Sequence, residues 1–421
     1  MKISSWLFLI LFTLTYVGIA PSIIAQDWTQ WRGANRDGNV AGFTAPATWP
    51  KAIKKVWQTN VGIGHSTPLV VGEKIYVFAR QGEDEVLQCL ELATGKELWR
   101  VADTGIAYTP HEAAAGHGKG PKSTPVYHQG RIYTLGIKGL LTARDAKDGK
   151  LLWRKDFTGK YKNTSPLFGT ASSPVIEKGL LIVAVGGHDS GALIAFDAKT
   201  GAEKWVYDAD GPAYASPVVV TLAGVRQVVT FTQKELVSVD AANGKLLWKR
   251  PAKSQYDENS VSVLPYKDTL IVGHEENVVA ALRVVKQGAN YAAETVWQTN
   301  EHQFYMSSPV INGNRLFAFS AKKKGQLVAL NADTGKTLWA AEGRQGENAS
   351  LLNAGSTLFA LTNDAQLFAL NPAAEKFVPF IQYEVATSPT WAHPVIVGKW
   401  LFVKDENTLT AWKFEPRNGC C

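Results

Sequence analysis

Leu330-Asn331-Ala332-Asp333-Thr334-Gly335-Lys336-Thr337-Leu338-Trp339 is a stretch whose grammar recurs along the chain. Phe196-Asp197 through Gly201 to Trp205, Asp145 through Gly149 to Trp153, Asp240 through Gly244 to Trp248, and Glu91 through Gly95 to Trp99 follow it, always with Gly four residues before Trp. An Asp or Asn that bonds the backbone ahead of it, a Gly that accepts positive φ, and a Trp that opens the next segment together spell strand–turn–strand. Upstream of each lies a second half: a Ser/Thr-Pro step, an apolar run, a turn and another apolar run. It is seen in Ser66-Thr67-Pro68 to Phe78, Ser123-Thr124-Pro125 to Leu135, Ser173-Pro174 to Val185, Ser216-Pro217 to Phe231, and Ser308-Pro309 to Phe319. Proline suits the first position of a strand, where no ladder hydrogen bond is lost. Each repeat therefore encodes four short antiparallel strands, one blade of a β-propeller, with the indole filling the gap between blades.

The Trp-to-Trp spacing runs from 42 residues (Trp57 to Trp99) to 54 (Trp99 to Trp153). The fifth repeat is degenerate, with Asn290-Tyr291 read as part of a longer final turn before Trp297, and the seventh replaces its Trp with Phe377–Phe380. The eighth, from His393-Pro394 through Ala411-Trp412, stops before an outer strand, while Val56-Trp57-Gln58-Thr59 is an outer strand without a blade. Joining the two predicts an all-β, eight-bladed propeller closed by an N-terminal strand in the last blade, which leaves no open edge in the ring. The expected organisation is an export segment over 1–25, an N-terminal extension over 26–55, the propeller over 56–415 and a tail over 416–421.

Composition fits a globular chain: 45% hydrophobic and 19% charged residues, with net charge +7. The basic residues are scattered, Lys322-Lys323-Lys324 being the one run, so nucleic acid is not an expected partner. Met1–Ala25 reads as a signal peptide, with Lys2, an apolar core from Trp6 to Val17, and Ile23-Ile24-Ala25 before the cut. The apolar stretch from Ile3 to Ala20 also allows an uncleaved anchor. Cleavage leaves no stable membrane span and puts the protein in the periplasm or outside the cell. Cys89 reads as a buried hydrophobe and Cys420-Cys421 as a tail; with no Cys near the cut, a lipoprotein is not expected.

Loops that lead into the innermost strands, and those between second and third strands, share one face of a propeller. His65, His111, His117, His188, His274, His302 and His393 all fall in such loops, and His128 in the opposite kind of turn. A polar funnel on this face is the expected binding site. Its candidate residues are His65, His111, His117, Lys119, Lys122, His188, Asp189, Tyr214, His274, Glu275, Tyr305 and Trp391. His111 and His117 have the residue type of a metal pair, but no carboxylate completes a ligand spacing, so no metal site is assigned. Gly-x-Ser-x-Gly and His-Glu-x-x-His are absent from the sequence, and no catalytic residue is assigned.

From Trp28 to about Phe414 the repeat resembles the pyrroloquinoline-quinone (PQQ)-like propeller repeat. Trp28-Thr29-Gln30-Trp31-Arg32-Gly33-Ala34-Asn35-Arg36-Asp37-Gly38, Gly120-Pro121-Lys122-Ser123-Thr124-Pro125 and Gly224-Val225-Arg226-Gln227 resemble stretches of secreted bacterial PQQ-binding-like propellers. Two roles are implied. Quinoprotein dehydrogenases hold PQQ with Ca²⁺ over the ring centre, under a vicinal cystine and beside an Asp base; here the adjacent cysteines end the chain, and no haem-attachment Cys-x-x-Cys-His occurs. BamB-like subunits of outer-membrane protein assembly use the ring surface to hold partners. The resemblance thus implies a non-catalytic, monomeric binding or scaffold propeller of the cell envelope, with an envelope protein, small molecule or saccharide at the funnel; funnel aromatics such as Tyr108 would serve the saccharide. The alternative is a PQQ-dependent oxidoreductase of alcohols or sugars, with Lys119, Lys122 and Arg226 as cations for the cofactor and Asp189 or Glu275 as base.

Overall fold

The structure is a computed structural model that describes residues 27–252, 254, 258–274 and 278–416. The expected export segment, Glu275 and the terminal cysteines lie outside the described residues. Eight four-stranded antiparallel sheets make up the fold, and seven of them are continuous in sequence: 69–103, 126–155, 175–209, 218–251, 264–299, 310–340 and 349–384. The eighth combines three strands from 395–416 with Ile53–Asn60, which pairs antiparallel with Thr408–Pro416. The chain is an all-β, eight-bladed propeller closed by its N-terminal strand.

The physical logic of the repeat is visible in the turns. Gly335 has φ +72°, and a Cβ built on it would lie 2.4 Å from the indole of Trp297 in the preceding blade. Gly95, Gly149, Gly201 and Gly244 stand in the same relation to Trp57, Trp99, Trp153 and Trp205. The glycine is thus required twice, for its backbone and for the close approach of the neighbouring ring. Several of the repeat indoles donate across the blade gap: Trp153 Nε1 to the Ala198 carbonyl, Trp205 to Ala241, Trp297 to Ala332 and Trp339 to Ala374. Phe377 replaces the seventh Trp and packs on Trp339, with ring centroids 6.2 Å apart.

Two local expectations are corrected. Pro68, Pro125, Pro174, Pro217, Pro309 and Pro394 each sit one residue before their strand, where no ladder bond is asked of the N–H that proline lacks. Asn290-Tyr291 lies not in a turn but in the ten-residue strand Asn290–Thr299, paired with Val278–Gln287. The lengthened hairpin reaches over the fourth blade, where Arg250 Nη1 donates to the Ala293 carbonyl (3.0 Å) and Thr295 Oγ1 (3.1 Å).

Second and third strands of the blades are buried on both faces, as in Lys74–Gln81 and Leu180–Gly187, whereas outer strands alternate. The largest apolar cluster lies at the closure. Trp28 and Val40 of the N-terminal extension pack there with Leu352, Phe359, Phe402 and Trp412 of the seventh and eighth blades. Among the described residues no helix is long and apolar enough to cross a membrane.

Candidate functional site

Ser and Thr residues at the entry to the innermost strands, five of the six before a proline, build the inner ring. The backbone N–H of Thr67 donates to Thr124 Oγ1 (3.1 Å), Thr124 N–H to Ser173 Oγ (3.0 Å), and Ser173 N–H to Ser216 Oγ (2.9 Å). Ser216 N–H continues to Ser262 Oγ (2.8 Å) and Ser262 N–H to Ser308 Oγ (3.2 Å). Six blades are linked hydroxyl to amide, so a short side-chain acceptor is needed at each step. His393-Pro394 occupies the same step in the eighth blade, where a ring replaces the hydroxyl.

Residues 27–43 plug the channel inside this ring. Trp28 exchanges two backbone hydrogen bonds with Val70 of the first blade, and Val40 N–H donates to the Asn353 carbonyl of the seventh. Arg32, fully buried, donates to the Pro309 carbonyl of the sixth blade, and Arg36 to the Pro174 and Ser173 carbonyls of the third (2.7 and 3.0 Å). Burial lowers Arg32 to about 10 and Arg36 to about 9, the second also through the charge of Arg32. Both guanidiniums lie close to Trp31, 5.5 and 5.7 Å from the ring centroid.

Trp31 also lines a cavity of about 190 Å³ that opens at the funnel. The His65 and Trp391 rings stack on each other (5.9 Å, 25°), and His117 meets Trp391 and Phe168 edge-on (65° and 87°). Phe168 meets Tyr214 at 78°, and its N–H donates to the Tyr214 hydroxyl (3.1 Å). Tyr305 donates to the Glu258 carboxylate (2.6 Å). His117 comes from the short 3₁₀ turn Glu112–His117 in the long loop before the second blade.

The cavity wall carries one lysine, Lys122, and one carboxylate, Glu258. Lys122 donates to the Phe168 carbonyl, pairs with no carboxylate among the described residues, and is lowered by burial to about 8. Burial, then the charges of Lys122 and Lys404 and the presence of His117, hold His65 down to about 3. Burial and Arg32 hold His393 down to about 3, with its Nδ1 buried and unpartnered. His117 is lowered by burial and Lys122, against an opposing pull from Glu347. Glu258 is raised by burial, against the hydrogen bond from Tyr305. At neutral pH these histidines are uncharged, each with one donor and one acceptor nitrogen.

Of the candidates read from sequence, His65, His117, Lys122, Tyr214, Tyr305 and Trp391 come together around this cavity. The others do not. His111 caps the 3₁₀ turn, its Nδ1 accepting from Ala113 N–H (3.2 Å), and Lys119 is exposed beyond it. His188 and Asp189 form an exposed cluster in which Lys234 bonds Asp189 (2.6 Å). His274 is described only as the end of the strand Thr269–His274, and Glu275 lies outside the described residues. Tyr108 borders a separate polar hollow with Lys138 and Tyr161, and Arg226 is paired with Glu177 (2.7 Å). Sequence reasoning missed Trp31, Phe168, Glu258 and the part played by His393. The departure of His393 from the Ser/Thr-Pro step was the signal for one of them; the others sit in irregular segments without a pattern.

Ca²⁺ takes six to eight oxygen ligands. The cavity offers one carboxylate, Glu258, already engaged by Tyr305, and the described residues contain no group of three or more His, Cys, Asp or Glu side chains placed to hold a metal. The described lining does not fit Ca²⁺-bound PQQ.

Fold and site together define an eight-bladed propeller of PQQ-like repeats with a plugged channel and an aromatic funnel. Residues 83–318 and 290–376 match the PQQ-repeat family described as outer membrane protein assembly factor BamB, and the chain belongs to that family. An uncharacterized protein of Rickettsia prowazekii (strain Madrid E) is 27% identical over 62% of this chain and 62% of its own length, less than two thirds. Outer membrane protein assembly factor BamB of Burkholderia pseudomallei (strain K96243) is 24% identical over 76% of this chain and 88% of its own. The dehydrogenase subunit of the quinone alcohol dehydrogenase of Komagataeibacter europaeus is 30% identical, over 36% of this chain and 21% of that subunit. BamB from Moraxella catarrhalis superposes at TM-score 0.62 with 14% identity, covering 86% of this chain and 98% of that one. Quinohemoprotein alcohol dehydrogenase from Comamonas testosteroni does so at 0.67, also with 14% identity, covering 92% and 80%. At such identity the solved structures attest the fold alone.

Proposed function

We propose that this protein is an exported, non-catalytic binding propeller of the cell envelope, and that its funnel face is the surface that holds a partner. The observation that carries this reading is the extent of similarity. The match runs along 88% of the Burkholderia assembly factor but only 21% of the quinone dehydrogenase subunit. The plug supports it, because Arg32 and Arg36 fill the channel with the protein's own cations. The alternative, a quinoprotein oxidoreductase, draws on the shared blades and lacks a Ca²⁺ donor set among the described residues.

The test uses the full chain expressed with its own export segment. A photo-cross-linker at Lys119 on the funnel face is expected to capture a discrete envelope protein, and one at Lys178 in an opposite turn is not. Saturable binding of PQQ with Ca²⁺, together with dye reduction by an alcohol or a sugar, would overturn the reading.

A further inference from the structure

The funnel cavity combines features that restrict the chemistry of a small ligand. Its rings meet one another edge-on or in direct stacks, so they form a cup rather than a parallel-walled slot. A flat polycyclic molecule needs two facing planes with a gap between them, whereas a cup of tilted faces suits a puckered ring that shows C–H groups to the walls. The volume of about 190 Å³ admits a body the size of one such ring.

Polar groups point the same way. The uncharged histidines provide donors and acceptors at several heights, and the buried Nδ1 of His393 lacks a partner. Neutral, bidirectional groups of this kind match hydroxyls, which both give and accept. Charge adds the last element. Lys122 is a half-buried ammonium that pairs with no carboxylate among the described residues, the one carboxylate of the lining, Glu258, being held by Tyr305, and Arg32 and Arg36 lie beyond Trp31. A partly desolvated ammonium held by one neutral carbonyl, here that of Phe168, favours an anion that replaces its lost solvation.

We infer that the cavity binds a uronic-acid sugar, its carboxylate on Lys122, its ring face on Trp391 and its hydroxyls on the histidines. The shared chemistry belongs equally to a free uronate and to the end of an acidic polysaccharide. The inference deepens the binding reading and rests on the funnel being the binding face. A failure here leaves the cross-linking result at Lys119 untouched, so the two are separately decided.

Calorimetric titration of the full chain with D-glucuronate, D-glucose, benzoate and a galacturonate trimer tests it, with tryptophan fluorescence followed in parallel. Glucuronate is expected to bind saturably, about tenfold or more tighter than glucose, as a charge-assisted hydrogen bond provides. A trimer that binds more tightly still identifies a polysaccharide end as the source, and equal affinity identifies the free sugar. Lys122→Met is expected to abolish the preference for glucuronate over glucose, and Trp391→Ala to weaken both while keeping the preference. Lys122→Gln serves if the Met variant does not fold, as judged by its melting curve. The inference is overturned if glucuronate shows no saturable binding at millimolar concentration, if benzoate binds as well, or if the Lys122 variants bind glucuronate like the parent.

Discussion

At the scale of single residues, the repeat glycine carries two constraints that can be separated. Gly335 combines φ +72° with an indole 2.4 Å from any added Cβ, whereas Gly130 has φ +76° and open space around it. Gly130→Ala is expected to cost about 1–2 kcal/mol, the left-handed penalty alone. Gly335→Ala adds an overpacking cost of about 1–3 kcal/mol. Urea denaturation of both variants measures the difference, and equal costs would show that the Trp297 contact contributes nothing. The funnel histidines give a second prediction at this scale. His65 and His393 titrate near 6.5 in the unfolded chain and are held to about 3 in the fold, so between these values the unfolded state binds more protons. Stability therefore falls as pH drops from about 6.5 toward 3 and is regained as pH rises. Gln in place of both is expected to flatten that part of the stability-versus-pH curve.

At the scale of elements, the inner hydroxyl chain makes neighbouring blades depend on one another. Ser173 both accepts from Thr124 N–H and donates its own N–H to Ser216. Ser173→Ala leaves the Thr124 amide buried without its acceptor and is expected to cost about 1–3 kcal/mol. Thermal unfolding followed by circular dichroism measures it, and a loss within error of zero would mean that water replaces the hydroxyl. The fifth blade uses a different device. Its long hairpin covers the outer strand of the fourth blade through Arg250, and Trp248 donates inward to Gln227 Oε1 (2.9 Å) instead of across to a turn.

At the scale of the whole molecule, the ring is closed by one strand and filled by one plug. A chain beginning at residue 61 leaves Thr408–Pro416 as an open edge, and open edges pair with other chains. It is expected to melt well below the parent and to self-associate on gel filtration. Deleting 27–50 while keeping Ile53–Asn60 removes only the plug, and that chain is expected to stay monomeric with a smaller loss of melting temperature. If the two deletions behave alike, closure by the strand is not what holds the ring.

Much of this architecture was legible beforehand because it is written locally. The Asp-Gly-Trp spacing encodes a turn and a strand within ten residues, and repetition turns that into blades. The absence of an outer strand after Trp412 and the spare strand around Trp57 named each other, and they pair in the structure. The cavity was legible only in part. His65, His117 and Trp391 fell on the correct loops, but loops of one face also carry His111, His188 and Asp189, which sequence cannot tell apart from them. What separates them is whether the side chain is enclosed in the cavity or exposed, and that depends on how eight blades converge. Trp28–Gly38 shows the same limit: nothing in its residues says that Arg32 will reach Pro309 while Arg36 reaches Pro174. The sequence by itself determined the blades, their number and the strand that closes them, because backbone turns and strand pairing are short-range. Only the tertiary structure decided what fills the channel and which side chains share the funnel, because those contacts join residues of different blades and exist only once the ring is closed.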